Sequence, residues 1–301
     1  MIYVKVPATS ANLGSGFDCI SIALNVYNQF WFEPICEAKP RDYANLIERA
    51  FYGFYRELGL KENFVGVNIR QDSQIPISMG FGSSAACIVA GILAANALSG
   101  QNLDKDEILN IAAKFEGHAD NAGAAIFGGI FVGARGENGR YYGNSMSIEP
   151  LIDAGLKFGA AIPNFDFPTK KSRAILPKLS AENMHEIVEA YRFNMAHYGL
   201  LVAALAAADI EKIGIAMSDK LHQPHRAKFI PEYADVMSIL RQNGAVGTFL
   251  SGAGPSIFAF YKGENFPKMA KAALKSLESG WQFTEFEASH AGAKVLLDSG
   301  G

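Results

Sequence analysis

The chain has 301 residues, 49% hydrophobic and 19% charged, enough apolar material for a sizeable core or for two ordinary domains. With 27 basic against 30 acidic residues the net charge is −3, so no basic surplus points to nucleic acid and no acidic tail to disorder. The apolar run Gly199 to Ala208 is ten residues, too short to span a bilayer, and Met1–Pro7 lacks the basic-then-apolar order of a signal peptide, so a cytoplasmic protein without membrane partners is expected.

Met1–Pro7 and Ile22–Glu33 are rich in strand-forming residues. Tyr43–Leu58 is predicted helical, with Gly59 as its C-cap. Val65–Arg70 alternates apolar and polar residues as a half-buried strand does. A helix is predicted from Ser83-Ser84 through Leu93. Another begins at Asp104, where Glu107 three residues on completes a capping box. In that second helix Glu116 falls four residues after Ala112 and seven after Leu109, which puts it on or beside the buried face. Ala160–Pro163 reads as a hinge, giving halves of 1–160 and 161–301. Past it, Ser180 is predicted to cap a helix reaching Ala208, Asp209 to start another, and Pro231 to sit in the first turn of a third that ends near Gly244. Strand (Ala245–Leu250), glycine loop, strand (Ser256–Tyr261), helix (Pro267–Glu278) and strand (Trp281–Ser289) follow. The class this order predicts is α+β, in two domains. Cys19, Cys36 and Cys87 match no metal or disulfide spacing and read as small apolar residues.

Three glycine-bearing segments carry the chemistry. In Pro76-Ile77-Ser78-Met79-Gly80-Phe81-Gly82-Ser83-Ser84-Ala85-Ala86, the glycines let backbone approach a ligand, and successive N–H groups plus a helix N-terminus suit an anion. No Gly-Lys-Ser/Thr follows, so this is not a Walker A loop, and a plain turn with Ser83 as N-cap is the alternative. Pro7-Ala8-Thr9-Ser10-Ala11-Asn12-Leu13-Gly14-Ser15-Gly16-Phe17-Asp18 is expected to be a loop, and at twelve residues it is long for a mere hairpin turn. Gly247 to Ser256 reads equally well as a tight hairpin or as a second close approach to an anion.

Together and in this order, the three segments resemble the motifs of the GHMP kinases, over nearly the whole chain. The resemblance implies an N-terminal α+β domain with a left-handed βαβ crossover and a C-terminal ferredoxin-like sandwich. It also implies ATP and Mg²⁺ as cofactors, with residues 76–86 wrapping the triphosphate and adenine lying between Leu60 and Pro76. Several stretches resemble the branch of the family that phosphorylates L-homoserine: Val6–Gly14, Glu116-Gly117-His118-Ala119-Asp120-Asn121 with Ile126–Gly129, Thr169 with Arg173, and His222-Gln223-Pro224-His225-Arg226. Ser15 stands where the family usually has Pro and is expected to loosen its loop. Phe81 stands where Leu is usual and is expected to reshape the loop wall.

Carried over residue by residue, the resemblance makes Ser84 and Glu116 the Mg²⁺ ligands. Asn12, Asp18, His118, Asp120, Asn121, Thr169, Arg173, Arg226 and Gly252 become the homoserine site. Asp18 suits the ammonium group, and the two arginines suit the carboxylate bidentately. His222 and His225 are expected only to shape the loop that holds Arg226, against the alternative of ligands. Asn121 stands where several members have a basic Asp. An amide cannot take the hydroxyl proton, so it is expected to orient the substrate, with Asp120 pointing elsewhere. Two rivals stay open: another small-alcohol kinase, acting on mevalonate or threonine, and a non-catalytic sensor of the same fold. The sequence leaves monomer and homodimer undecided.

Overall fold

The computed structural model describes residues 1–35, 45–60, 66–165, 167, 175–177, 180 and 182–297. Two antiparallel sheets organise it. The first contains β1 (Ile2–Ala11), β2 (Ile20–Ile35), β3 (Gly66–Ser73), β4 (Ile130–Arg135), β5 (Tyr141–Met146) and the last described strand, Lys294–Leu297, in the order last strand–β1–β2–β4–β5 with β3 also on β2. Because β1 takes one edge of β2, β3 and β4 share the other; both run antiparallel to β2 and so parallel to each other. Their connection is helical: α1 (Leu46–Glu57) precedes β3, and α2 (Ser83–Ser99), α3 (Lys105–Glu116) and α4 (Asp120–Phe127) lie between β3 and β4.

α2 is apolar on all sides, and α1 and α3 bury it, as a helix of that composition requires. Asn45 caps α1 by accepting from Glu48 N, so that helix starts at Leu46; Tyr43 and Ala44 lie outside the described residues. The capping box of Asp104 and Glu107 forms as expected.

A short α5 (Glu149–Asp153) leads to the second sheet. In it β6 (Lys157–Ile162) is central, α6 (Met184–Ala206), α7 (Ile210–Ala216), α8 (Gln223–Ala227) and α9 (Tyr233–Gln242) follow, and β7 (Ala245–Leu250), β8 (Ile257–Tyr261), α10 (Phe266–Leu274) and β9 (Gln282–Phe286) complete it. The strand order is β7–β8–β6–β9, and the β-α-β-β-α-β succession is that of a ferredoxin-like unit. After it the chain returns to the first sheet as β10 (Lys294–Leu297), paired with β1.

Two expectations change here. Ala160–Pro163 is no hinge: Ala160 and Ala161 lie inside β6, bonded on both sides by β8 and β9, so the 160/161 division cuts a central strand. Residues 7–11 are not loop: β1 continues to Ala11 because Ala8, Thr9, Ser10 and Ala11 find partners in Leu24, Ala23, Ile22 and Ser21. The loop shrinks to residues 12–19. Ser15 does not loosen it, since its hydroxyl donates to Ala216 O at 3.0 Å and its carbonyl accepts from Asn194 Nδ2 at 3.0 Å.

One apolar core runs across both sheets, from Val4 and Phe32 through Phe131 to Phe158, Phe249, Phe258 and Phe260. Phe81 belongs to it: the side chain is 1% exposed and its ring lies 5.1 Å from that of Phe286 on β9. It therefore points into the core rather than forming a wall of the glycine loop. Burying such a ring contributes about 1.5–3 kcal/mol and ties the loop to the second sheet. Among the described residues no helix is long and apolar enough to cross a membrane.

Candidate active site

The three glycine segments meet at the N-terminus of α2. Gly82 is the N-cap, in the left-handed region at φ +68°, and no side chain caps the helix. Its first N–H groups are left without intrahelical partners, which suits an anion. A Cβ on Gly82 would lie 2.0 Å from Thr9 Oγ1 and 3.2 Å from Asn121 Oδ1. Gly80, at φ +84°, is pressed against the third segment: a Cβ there would lie 2.2 Å from Ser251 O.

Hydrogen bonds lock the same contacts. Ser251 Oγ donates to Gly80 O at 2.7 Å, which leaves Ser10 as donor in the 2.8 Å contact between the two serine hydroxyls. Gly252 N donates to Ala11 O, and Thr9 N to Phe81 O. Gly80→Ala is therefore expected to be costly twice over, through the left-handed backbone, at about 1–2 kcal/mol, and through a clash with a backbone oxygen that cannot rotate away. Calorimetry should show a Tm drop of about 2–8 °C or more, with a raised KM for ATP. An unchanged Tm would show that the loop does not need the glycine.

Beside this loop, Ser84 Oγ donates to Glu116 Oε1 at 3.3 Å. Glu116 is the last residue of α3, which stops because Gly117 turns at φ +84°. Its side chain is 9% exposed, in keeping with the phase predicted from Ala112 and Leu109. A hydroxyl and a carboxylate oxygen next to a helix N-terminus make an oxygen donor pair of the kind Mg²⁺ takes, so these residues fit that cation.

Across Gly117 the chain supplies a second polar group. His118 Nδ1 is hydrogen-bonded to Asp120 Oδ1, and its Nε2 is 3.8 Å from Glu116 Oε2. Asp120, 1% exposed, also accepts from Asn121 N at 2.7 Å. Asp18 joins them, with one donor atom from each of Asp18, His118 and Asp120 lying within 4.8 Å of the others. Burial disfavours a charged imidazole here, but the Asp120 carboxylate and its hydrogen bond, then Glu116 and Asp18, outweigh it and raise His118 to about 8. Asn121 Oδ1 accepts from Thr9 Oγ1 at 2.7 Å, leaving the Nδ2 group as the donor this amide presents.

Asn12 is a tie rather than a free donor. Its Oδ1 accepts from Asp18 N at 2.8 Å and its Nδ2 donates to Gly252 O at 2.9 Å. Both Asn12 and Asp18 have positive φ, at 64° and 56°, a conformation these two residue types tolerate better than most.

Gly252 O also accepts from Arg226 Nη1 at 2.9 Å. Arg226 is 2% exposed, stands 3.2 Å from His222 Nδ1 and lies 5.3 Å over the ring of Phe17, which stacks on His222. Burial lowers His222 to about 4 despite the nearby Asp219, with Arg226 and His225 adding to the effect, so the ring is neutral and accepts from the guanidinium. It shapes the support of Arg226, as expected. Thr169 and Arg173, with neighbouring Pro168, lie outside the described residues, as does part of the interval assigned to adenine. Cys87 packs against the core, and burial, with Glu116 adding to it, pushes its thiol to about 11.

Sequence reading missed several supports. Thr9, Ser10 and Ser251 lie inside the glycine-bearing segments, but nothing local marks their roles. Asp219 had no local signal; it accepts from the N–H groups of Leu221, His222 and Gln223 and so fixes the start of α8.

A glycine-lined helix N-terminus, an oxygen donor pair beside it and a charged pocket against a buried arginine, on these two sheets, define a small-molecule phosphotransferase. The chain belongs to the GHMP kinase family: residues 45–129 match the description "GHMP kinases N terminal domain" and residues 201–278 match "GHMP kinases C terminal". It is similar to the homoserine kinases of Clostridium botulinum, at 38% identity over 98% of both chains, and of Caldicellulosiruptor bescii, at 39% over 98% of this chain and 97% of the other. The crystal structure of homoserine kinase from Cytophaga hutchinsonii superposes with a TM-score of 0.82, at 26% identity, covering 98% of this chain and 97% of that one.

Proposed function

We propose that this chain transfers the γ-phosphate of MgATP to the side-chain hydroxyl of L-homoserine, giving O-phospho-L-homoserine on the route to threonine. The observation that carries the reading is the junction of Gly80 and Gly82 with Ser251, Thr9 and Asn121, because it sets a phosphate-binding helix end against the polar pocket. Residues 76–86 bind the triphosphate through backbone N–H groups. Ser84 and Glu116 would hold Mg²⁺, which when bound neutralises charge on the phosphate oxygens.

Asp18, with Asp120 and His118 behind it, takes the substrate ammonium, and Asn12 holds Asp18 and Gly252 in place. Arg226, together with Arg173 and Thr169, receives the carboxylate. Asn121, with its Oδ1 already satisfied by Thr9, donates from Nδ2 to the reacting oxygen or the phosphate. No side chain in that position accepts the proton, so the transferring phosphate takes it; positioning and charge stabilisation do most of the work in this class of reaction.

The test is ADP release with a panel of acceptors. L-homoserine should give the highest kcat/KM, with L-threonine and mevalonate at least about tenfold lower, a gap of roughly 1.4 kcal/mol. Phosphorus NMR of the product should show a phosphomonoester. Equal turnover of mevalonate would move the chain to another branch, and ATP binding without turnover of any alcohol would make it a sensor.

A further inference from the structure

His118 stands between two carboxylates that serve different ligands. Asp120, on its Nδ1 side, is fixed: its carboxylate accepts from Asn121 N at 2.7 Å, its carbonyl accepts from Ser21 Oγ at 2.5 Å, and its side chain is 1% exposed. Glu116, on the Nε2 side, is a three-torsion side chain in the last position of α3, yet it must keep Oε1 on Ser84. Left alone it would sample several rotamers, and holding one costs about 1.5–2 kcal/mol in side-chain entropy.

We propose that His118 is a positioning residue for Glu116, and that the line Asp120–His118–Glu116 sets how tightly the site holds its divalent cation. This rests on the reading of Ser84 and Glu116 as the cation's donors. The i, i+2, i+4 spacing of the three residues is made possible by the turn at Gly117, which breaks α3 so that side chains on two helices face one ring. An imidazole held at one nitrogen by a buried carboxylate is a rigid group, and its other nitrogen, 3.8 Å from Glu116 Oε2, then limits the rotamers open to that carboxylate. Partners one step removed from a metal typically change its affinity by about 10–100-fold.

The experiment is a Mn²⁺ titration of the enzyme with a non-hydrolysable ATP analogue and no homoserine, with free Mn²⁺ read by electron paramagnetic resonance. His118→Leu should weaken Mn²⁺ binding by about 10–100-fold, His118→Gln should recover part of the loss, and the Mg²⁺ activation constant should rise in parallel. Asp120→Asn, which keeps the shape, should shift Mn²⁺ affinity in the same direction and covers the case in which His118→Leu does not fold. Asp18→Asn should raise the KM for homoserine and leave Mn²⁺ binding unchanged. Wild-type Mn²⁺ affinity in folded His118→Leu or in Asp120→Asn, with only the KM for homoserine raised, would overturn the proposal. The titration contains no homoserine, so a wrong acceptor assignment would show in the ADP panel and not here.

Discussion

Arg226→Ala should raise the KM for homoserine by about 30-fold to several thousand-fold while changing the KM for ATP little. The range corresponds to roughly 2–5 kcal/mol for truncating one partner of a buried charge pair. The upper part is favoured by how the arginine is held: it is 2% exposed, fixed to Gly252 O and lies over Phe17, so its geometry is set before substrate arrives. Homoserine amide provides the control. Without a carboxylate it should be a poor substrate for the wild type, and the acid should lose most of its advantage over the amide in Arg226→Ala. Arg226→Lys should recover charge without the planar fork and fall between. Circular dichroism and the KM for ATP report whether the variant is folded. An unchanged KM for homoserine, or a loss confined to ATP, would remove Arg226 from the substrate site.

Glu116→Gln should lower kcat by about 10²–10³-fold, the usual scale for removing one group that stabilises transition-state charge. The substitution keeps the shape and can still accept from Ser84 through the amide oxygen, so the 3.3 Å contact survives while the charge that attracts a cation is lost. Stability should fall little, because Glu116 sits at a helix end beside Gly117 and is not part of the apolar core. Raising Mg²⁺ should recover part of the rate. Normal turnover combined with a large drop in Tm would make Glu116 a structural residue.

Much of this site was legible in the sequence because its key parts are local. A glycine at φ +84° or +68° leaves a Gly-x-Gly mark, an N-terminal helix end leaves Ser-Ser-Ala-Ala, and the capping box of α3 fixes the helical phase that withdraws Glu116 from water. The second sheet was also readable, as β7, β8, α10 and β9 alternate in a way that propensity and turn residues report. The failures were non-local. Nothing near Ala160 says whether it ends a domain or fills the middle of a sheet, since that depends on β8 and β9 lying on either side, about a hundred residues away in sequence. Residues 7–11 escape local reading for the same reason, because a run with polar members becomes strand only when β2 supplies the partners.

Residue types, loop glycines and helix phases are each written within a few residues of chain, and the order of three such segments was enough to indicate the family of phosphotransferases. How those pieces combine is visible in the folded chain alone: Gly80 lies under Ser251, Thr9 orients Asn121, Phe81 enters the core, and Asp120, His118 and Glu116 fall in line. The physical reason is that a hydrogen bond or close contact between distant segments depends on where the two sheets and the apolar core bring them, and no spacing along one strand or helix encodes that meeting.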